Sequence, residues 1–124
     1  MPIDYRVIRP PGVVYAVFSG VISAEDIRDY RRRLRADPHF SPDMDTLADL
    51  EGVSAFEPTG REMSRIVEDD PFGPRSRHAA VAPAPEVYGM LRMYEIKADW
   101  AESRSRVFQG LPEAKAWLDL PSED

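Results

Sequence analysis

The chain has no cysteine, which excludes disulfides, thiolate metal sites and cysteine nucleophiles. Histidine is nearly as scarce. His39 and His78 are the only two, one in a segment that reads as loop and one in a strand, and neither has a partner at ligand spacing. A metal site needs three or four donors, so both are read as structural residues. No apolar run approaches membrane-spanning length, and the opening residues MPIDYRVIRPPG lack an apolar signal core. A soluble cytoplasmic protein with no membrane span is the expectation. Lysine occurs only at Lys97 and Lys115, and 16 basic residues against 22 acidic ones give a formal charge of −6. That balance argues against a general nucleic-acid binder, which needs clustered positive charge to displace counterions. Gly-rich phosphate loops, nucleophile elbows and triad spacings are also missing, so no enzyme and no cofactor are expected.

What the chain does have is the length of one domain, 124 residues, enough to bury roughly two thirds of its unfolded surface in one core. Residues 1–121 read as that domain and 122–124 as a loose tail. Tyr5 to Ile8 is a strand candidate ended by Arg9-Pro10-Pro11-Gly12, since prolines cannot donate to a ladder. The run VVYAVF, Val13 to Phe18, suits a strand buried on both faces, and Ser19-Gly20 reads as its break. Ser23 with Asp26 three positions on is a helix start, Ile27, Tyr30 and Leu34 form the apolar stripe, and Asp37-Pro38 stops it. A strand from Thr46 to Leu50 and a helix from about Gly60 with Met63, Ile66 and Val67 follow.

HAAVA, His78 to Ala82, is a strand of small side chains, suited to a sheet centre against which helices press closely. Pro85 and Glu86 open a third helix, Arg104 to Phe108 is a last strand, and Pro112 starts a closing helix with Ala114, Trp117 and Leu118. The order β-β-α-β-α-β-α-β-α predicts an α/β fold. Its mostly parallel five-stranded mixed sheet has an antiparallel edge from the first strands, right-handed crossovers and about four helices.

Four features invite functional readings. Thr59, at the opening Glu57-Pro58-Thr59-Gly60 of the second helix, follows a buried strand, and a helix start in that place can hold or accept a phosphate. The same Thr59, with Glu62, is a capping box that needs no partner. Asp49 and Glu51 stand two apart near a strand end; such pairs do acid/base work or cap a turn. Arg28, Arg31, Arg32, Arg33 and Arg35 lie around the stripe of the first helix and are expected mostly to face solvent, where they form either a solvated face or a patch for an acidic partner. The third helix carries two apolar rows. Val87, Leu91, Tyr94 and Ala98 face the sheet, whereas Met93, Ile96 and Trp100 lie nearly opposite. Two apolar faces mean deep burial, a dimer seam or an apolar-ligand site that Met90, Met93 and Tyr88 would line adaptably, unless the helix ends near Ile96.

The element order and the segment Asp49-Leu50-Glu51-Gly52-Val53…Glu57-Pro58-Thr59-Gly60 resemble the STAS fold of anti-sigma-factor antagonists. In that family an Asp-Leu strand end leads to an Asp-Ser-Ser-Gly helix start whose second Ser is phosphorylated. Thr59 matches that Ser, Gly60 the Gly and Glu57 the Asp, while Pro58 departs from the pattern. More closely, the pieces Pro11-Gly12-Val13, Ser19-Gly20, Asp37-Pro38…Phe40, Asp49-Leu50 and Val107-Phe108…Ala114…Trp117-Leu118 resemble uncharacterised bacterial STAS-like (SpoIIAA-like) proteins, which share their α/β arrangement with lipid-transfer CRAL-TRIO domains. The resemblance implies a non-enzymatic regulatory module that docks on another protein or on itself as a homodimer and is switched at Thr59. The alternative is a carrier or sensor of an apolar, lipid-like small molecule, built on Met90, Met93, Ile96, Trp100 and Tyr88.

Overall fold

The computed structural model describes residues 2–73, 75–100 and 104–120, with the side chains of residues 67, 93–100 and 104 outside that set. The expected tail at 122–124 therefore lies outside the described residues. The elements are β1 (Ile3–Ile8), β2 (Val13–Ile22), α1 (Ala24–Arg35), β3 (Asp45–Phe56), α2 (Gly60–Glu68), β4 (Arg77–Val81), α3 (Pro85–Trp100), β5 (Arg104–Phe108) and α4 (Leu111–Trp117). One sheet runs β1-β2-β3-β4-β5, antiparallel between β1 and β2 and parallel thereafter. The expected α/β class, strand number and antiparallel edge are all found.

Local chemistry sets the boundaries. Gly12, at φ +105°, takes the left-handed turn that joins β1 to β2, and its N–H closes on Ile8 O at 3.0 Å. Ser23 caps α1: its Oγ accepts from the Asp26 N–H at 3.1 Å while Asp26 Oδ2 accepts from the Ser23 N–H at 2.9 Å. Two strands outrun their sequence signals. Ser19-Gly20 does not end β2, and β3 runs past the expected Leu50, because the two strands continue to pair with each other as far as Ile22 and Phe56. The ladder absorbs the irregularity in two register shifts. At the first of these, Asp49 Oδ1 accepts from the Glu51 N–H at 2.9 Å, so the pair stitches a bulge inside the strand.

Layering follows from topology. Parallel strands laid down in sequential order by crossovers of one hand put every crossover helix on the same side. Accordingly α1, α2 and α3 share one core with β1–β3, through Ile27, Tyr30, Leu34, Met63, Ile66, Val87 and Leu91. The short α4 is the one helix left for the opposite face, where Ala114 and Leu118 cover Val13, Leu47, Ala79 and Val81. Beyond its reach, Val17 and Val21 of β2 stay 45% and 50% exposed.

Arginines pin the helices. Arg31 is buried, and its guanidinium donates to Ile66 O and, at 3.0 Å, to Asp69 O at the C-terminal end of α2. Arg35 adds bonds to Asp69 O and Oδ1. Arg33 donates to Ile3 O at 2.6 Å and lies 5.9 Å from the Tyr5 ring centre. The expectation that these residues mostly face solvent is corrected for Arg31 and Arg33. Carbonyls at a helix end and an edge strand left them acceptors at guanidinium length.

Candidate functional site

Between the sheet and α1–α3 lies a half-enclosed cavity of about 110 Å³. Its floor is a product of parallel register. Thr46 of β3, His78 of β4 and Ser105 of β5 are successive cross-strand partners. They form one lateral row, and all three line the cavity. Two residues along each strand, on the same face, stand Ala48, Ala80 and Val107, again mutual partners and again cavity-lining. The small alanines leave the space that a larger side chain would fill. On the opposite face α4 packs on this strand, Ala114 clustering with Ala79 and Val81; on the cavity side the apolar walls include Phe18, Tyr30, Ile66, Phe72 and Leu91.

The polar row is chemically unusual for a core. Thr46 is only 6% exposed, and neither its Oγ1 nor the Ser105 Oγ has a hydrogen-bond partner among the described residues. A buried hydroxyl without a partner costs about 1–3 kcal/mol in desolvation, and such exceptions in a native core call for an explanation. His78 stands between them. Its ring meets Phe72 edge-on at 4.8 Å, and its Nε2 is 3.8 Å from Asp70 Oδ2, too far for a hydrogen bond. Burial holds the imidazole below its ordinary 6.5, Asp70 opposing and the Arg31 charge assisting. The ring is therefore neutral at pH 7, with one N–H donor and one acceptor nitrogen. The walls thus offer two hydroxyls and a neutral imidazole in an otherwise apolar chamber. Arg31 also borders it, with its guanidinium committed to the α2 carbonyls.

The residues singled out from sequence lie elsewhere. Thr59 is the exposed N-cap of α2: its Oγ1 accepts from the Glu62 N–H at 3.1 Å, and Glu62 Oε1 accepts from the Thr59 N–H at 2.9 Å. Gly60 and Glu57 are exposed beside it, Pro58 is buried, and the Glu57 N–H bonds Ile22 O at 2.8 Å. Asp49 sits at the bulge, and none of these residues borders the cavity. On α3 the backbone stays helical to Trp100, past Ile96. Tyr88 and Met90 are half-buried and outside the cavity lining, whereas Leu91 is part of it. The side chains of Met93, Ile96 and Trp100 lie outside the described residues.

Thr46, His78 and Ser105 escaped sequence reasoning as a group because 32 and 27 positions separate them in turn and only register joins them. The one available signal was a polar residue at the second position of each strand. Among the described residues no cluster of three or more His, Asp or Glu side chains is placed to hold a metal ion.

Comparison with protein-family models and with curated proteins finds no match. Among solved structures, the chain is similar to an uncharacterised protein of the DUF3478 family with a SpoIIAA-like fold from Shewanella loihica PV-4. The identity is 14%, the match covers 94% of this chain and 93% of that one, and the TM-score is 0.61. Likeness at that identity speaks to architecture, and it agrees with the element order and layering described above: this chain is an α/β domain of the SpoIIAA-like fold.

Proposed function

We propose that the protein is a non-catalytic binding module that takes a small, mainly apolar molecule into the cavity between its sheet and α1–α3. The observation that carries this reading is the cavity itself, about 110 Å³ over the Ala48–Ala80 floor. Dry apolar cavities of comparable size, about 150 Å³, bind benzene. The chamber is too small to enclose a long acyl chain, so the occupant is a single ring or a short chain rather than a membrane lipid. Benzene is the simplest probe. Titrated into the protein, it shifts the amide resonances of Thr46, Ala48, His78 and Ala80, and Ala80→Leu, which fills the floor, abolishes those shifts. Amides that stay unmoved at saturating benzene overturn the reading.

A second reading, a protein-interaction module switched at Thr59, is favoured by one observation: the N-cap hydroxyl of α2 is exposed and open to modification. A phosphate there meets the positive helix end and places about two negative charges beside Glu57 and Glu62. Thr59→Glu then weakens binding to a protein partner or to a second copy of this chain while the fold is kept. Unchanged association in sedimentation velocity and pull-down would rule the switch out.

A further inference from the structure

We infer that the cavity selects a neutral ligand with one hydroxyl or carbonyl oxygen, and that the row of Thr46, His78 and Ser105 is where that oxygen is recognised. The inference rests on the cavity-binding reading above and adds the chemical class. Three observations converge on it. The Thr46 and Ser105 hydroxyls are buried, border the cavity and have no partner among the described residues. They flank His78 in one row across adjacent parallel strands, so an oxygen bound on that row is met by the imidazole together with one flanking hydroxyl. Ala48 and Ala80 begin the apolar floor immediately beyond, which orients the occupant with its oxygen on the polar row and its hydrocarbon on the alanines.

Charge excludes the alternatives. A carboxylate in this chamber would leave water for a site where, among the described lining residues, the Arg31 guanidinium already donates to Ile66 O and Asp69 O and the Arg106 guanidinium lies over the Trp117 ring. An ammonium would face hydroxyls and an imidazole, with Asp70 3.8 Å from the far side of the His78 ring and Asp45 already paired with Arg77. A hydroxyl or carbonyl needs no counter-ion. Threonine and serine hydroxyls rotate to donate or accept, and neutral histidine does both, so either oxygen type is satisfied.

The test compares benzene, phenol and benzoate, rings of similar size with different polar groups, by chemical-shift titration of the intact chain. Phenol is expected to bind about five- to tenfold more tightly than benzene, the value of one net hydrogen bond, and benzoate to bind more weakly than either. Thr46→Val, which keeps the shape and removes the hydroxyl, is expected to abolish the preference for phenol over benzene. Ser105→Ala tests the hydroxyl on the other side of His78, and a phenol preference that survives in both variants overturns the inference. Equal affinity for benzene and phenol overturns the inference and leaves the cavity-binding reading standing. Preferred binding of benzoate overturns the neutral class. Absence of binding by all three overturns both.

Discussion

Asp45 and Thr46 are neighbours on β3, and Arg77 and His78 are neighbours on β4, yet each pair splits across the two faces of the sheet with opposite results. On the α4 face the polar groups are matched. Arg77 pairs with Asp45 at 3.0 Å, its backbone N–H bonds Asp45 Oδ1 at 2.9 Å, and its guanidinium donates to Trp117 O at 3.0 Å and Leu118 O at 3.3 Å. On the α1–α3 face, one residue along, the Thr46 hydroxyl has no partner among the described residues and His78 stops 3.8 Å short of Asp70. A matched polar cluster holds a helix on a sheet; an unmatched one, beside a cavity, is poised for something the chain does not itself supply. The difference separates a face whose polar groups are matched from one with unmet polar groups within two adjacent residues, and the proposed binding reading rests on the second.

The comparison can be broken by removing one polar group on each side. Arg77→Leu leaves Asp45 without its cation and strips the end of α4 of its donor. Because the pair is largely but not fully buried, about 2–3 kcal/mol of stability is expected to disappear. Urea unfolding measures the loss, and the fluorescence of Trp117, which lies 5.9 Å from the Arg77 guanidinium, reports release of α4. A loss below about 0.5 kcal/mol would mean that α4 is held by Ala114 and Leu118 alone. Thr46→Val goes the other way. Removing a buried hydroxyl that has no partner is expected to stabilise the unliganded protein by about 1 kcal/mol. If the variant is instead destabilised, the hydroxyl is satisfied inside the protein and the two faces do not differ.

Much of this architecture was legible from local chemistry. Apolar runs, the Ser23 and Thr59 capping boxes and the Pro-Gly turn after Ile8 are contained within a few consecutive residues, and they gave the element order together with the antiparallel edge. Strand ends were less legible. Ser19-Gly20 is a breaking signal in isolation and the expected third strand stopped at Leu50, but mutual pairing of β2 and β3 carries both further through bulges, a long-range effect that no local window contains. The roles of Arg31 and Arg33 depend on carbonyls 35 and 30 positions away, so a charged helix face looked solvated when parts of it were docked. The cavity was the least legible feature. It exists because positions 48 and 80 carry alanine in the same register row, with a polar row beside it, and register is set by pairing.

The smallest effect expected, and the most direct check on the polar row, is the titration of His78. In the folded protein its pKa lies below the 6.5 of an unconstrained imidazole, with burial as the first cause. The groups around it act unequally: Asp70 and Asp45 favour the charged ring, and Arg31 opposes it. Over the interval between the folded and unfolded values the unfolded chain binds a proton that the folded one does not, so stability must fall as pH falls. The contribution is therefore complete above pH 6.5 and is lost progressively below it, towards the folded value. Asp37, whose carboxyl is held below its usual 3.8 by the His39 backbone amide and the Tyr5 hydroxyl, acts in a lower window, so the two are separable. Urea unfolding across the weakly acidic range should show this decline in the native chain and a flatter profile in His78→Gln. An NMR titration of the His78 ring should give a midpoint under 6.5. A midpoint at or above that value would place a cation in the cavity wall at pH 6, and the row would then suit an anion rather than a neutral oxygen.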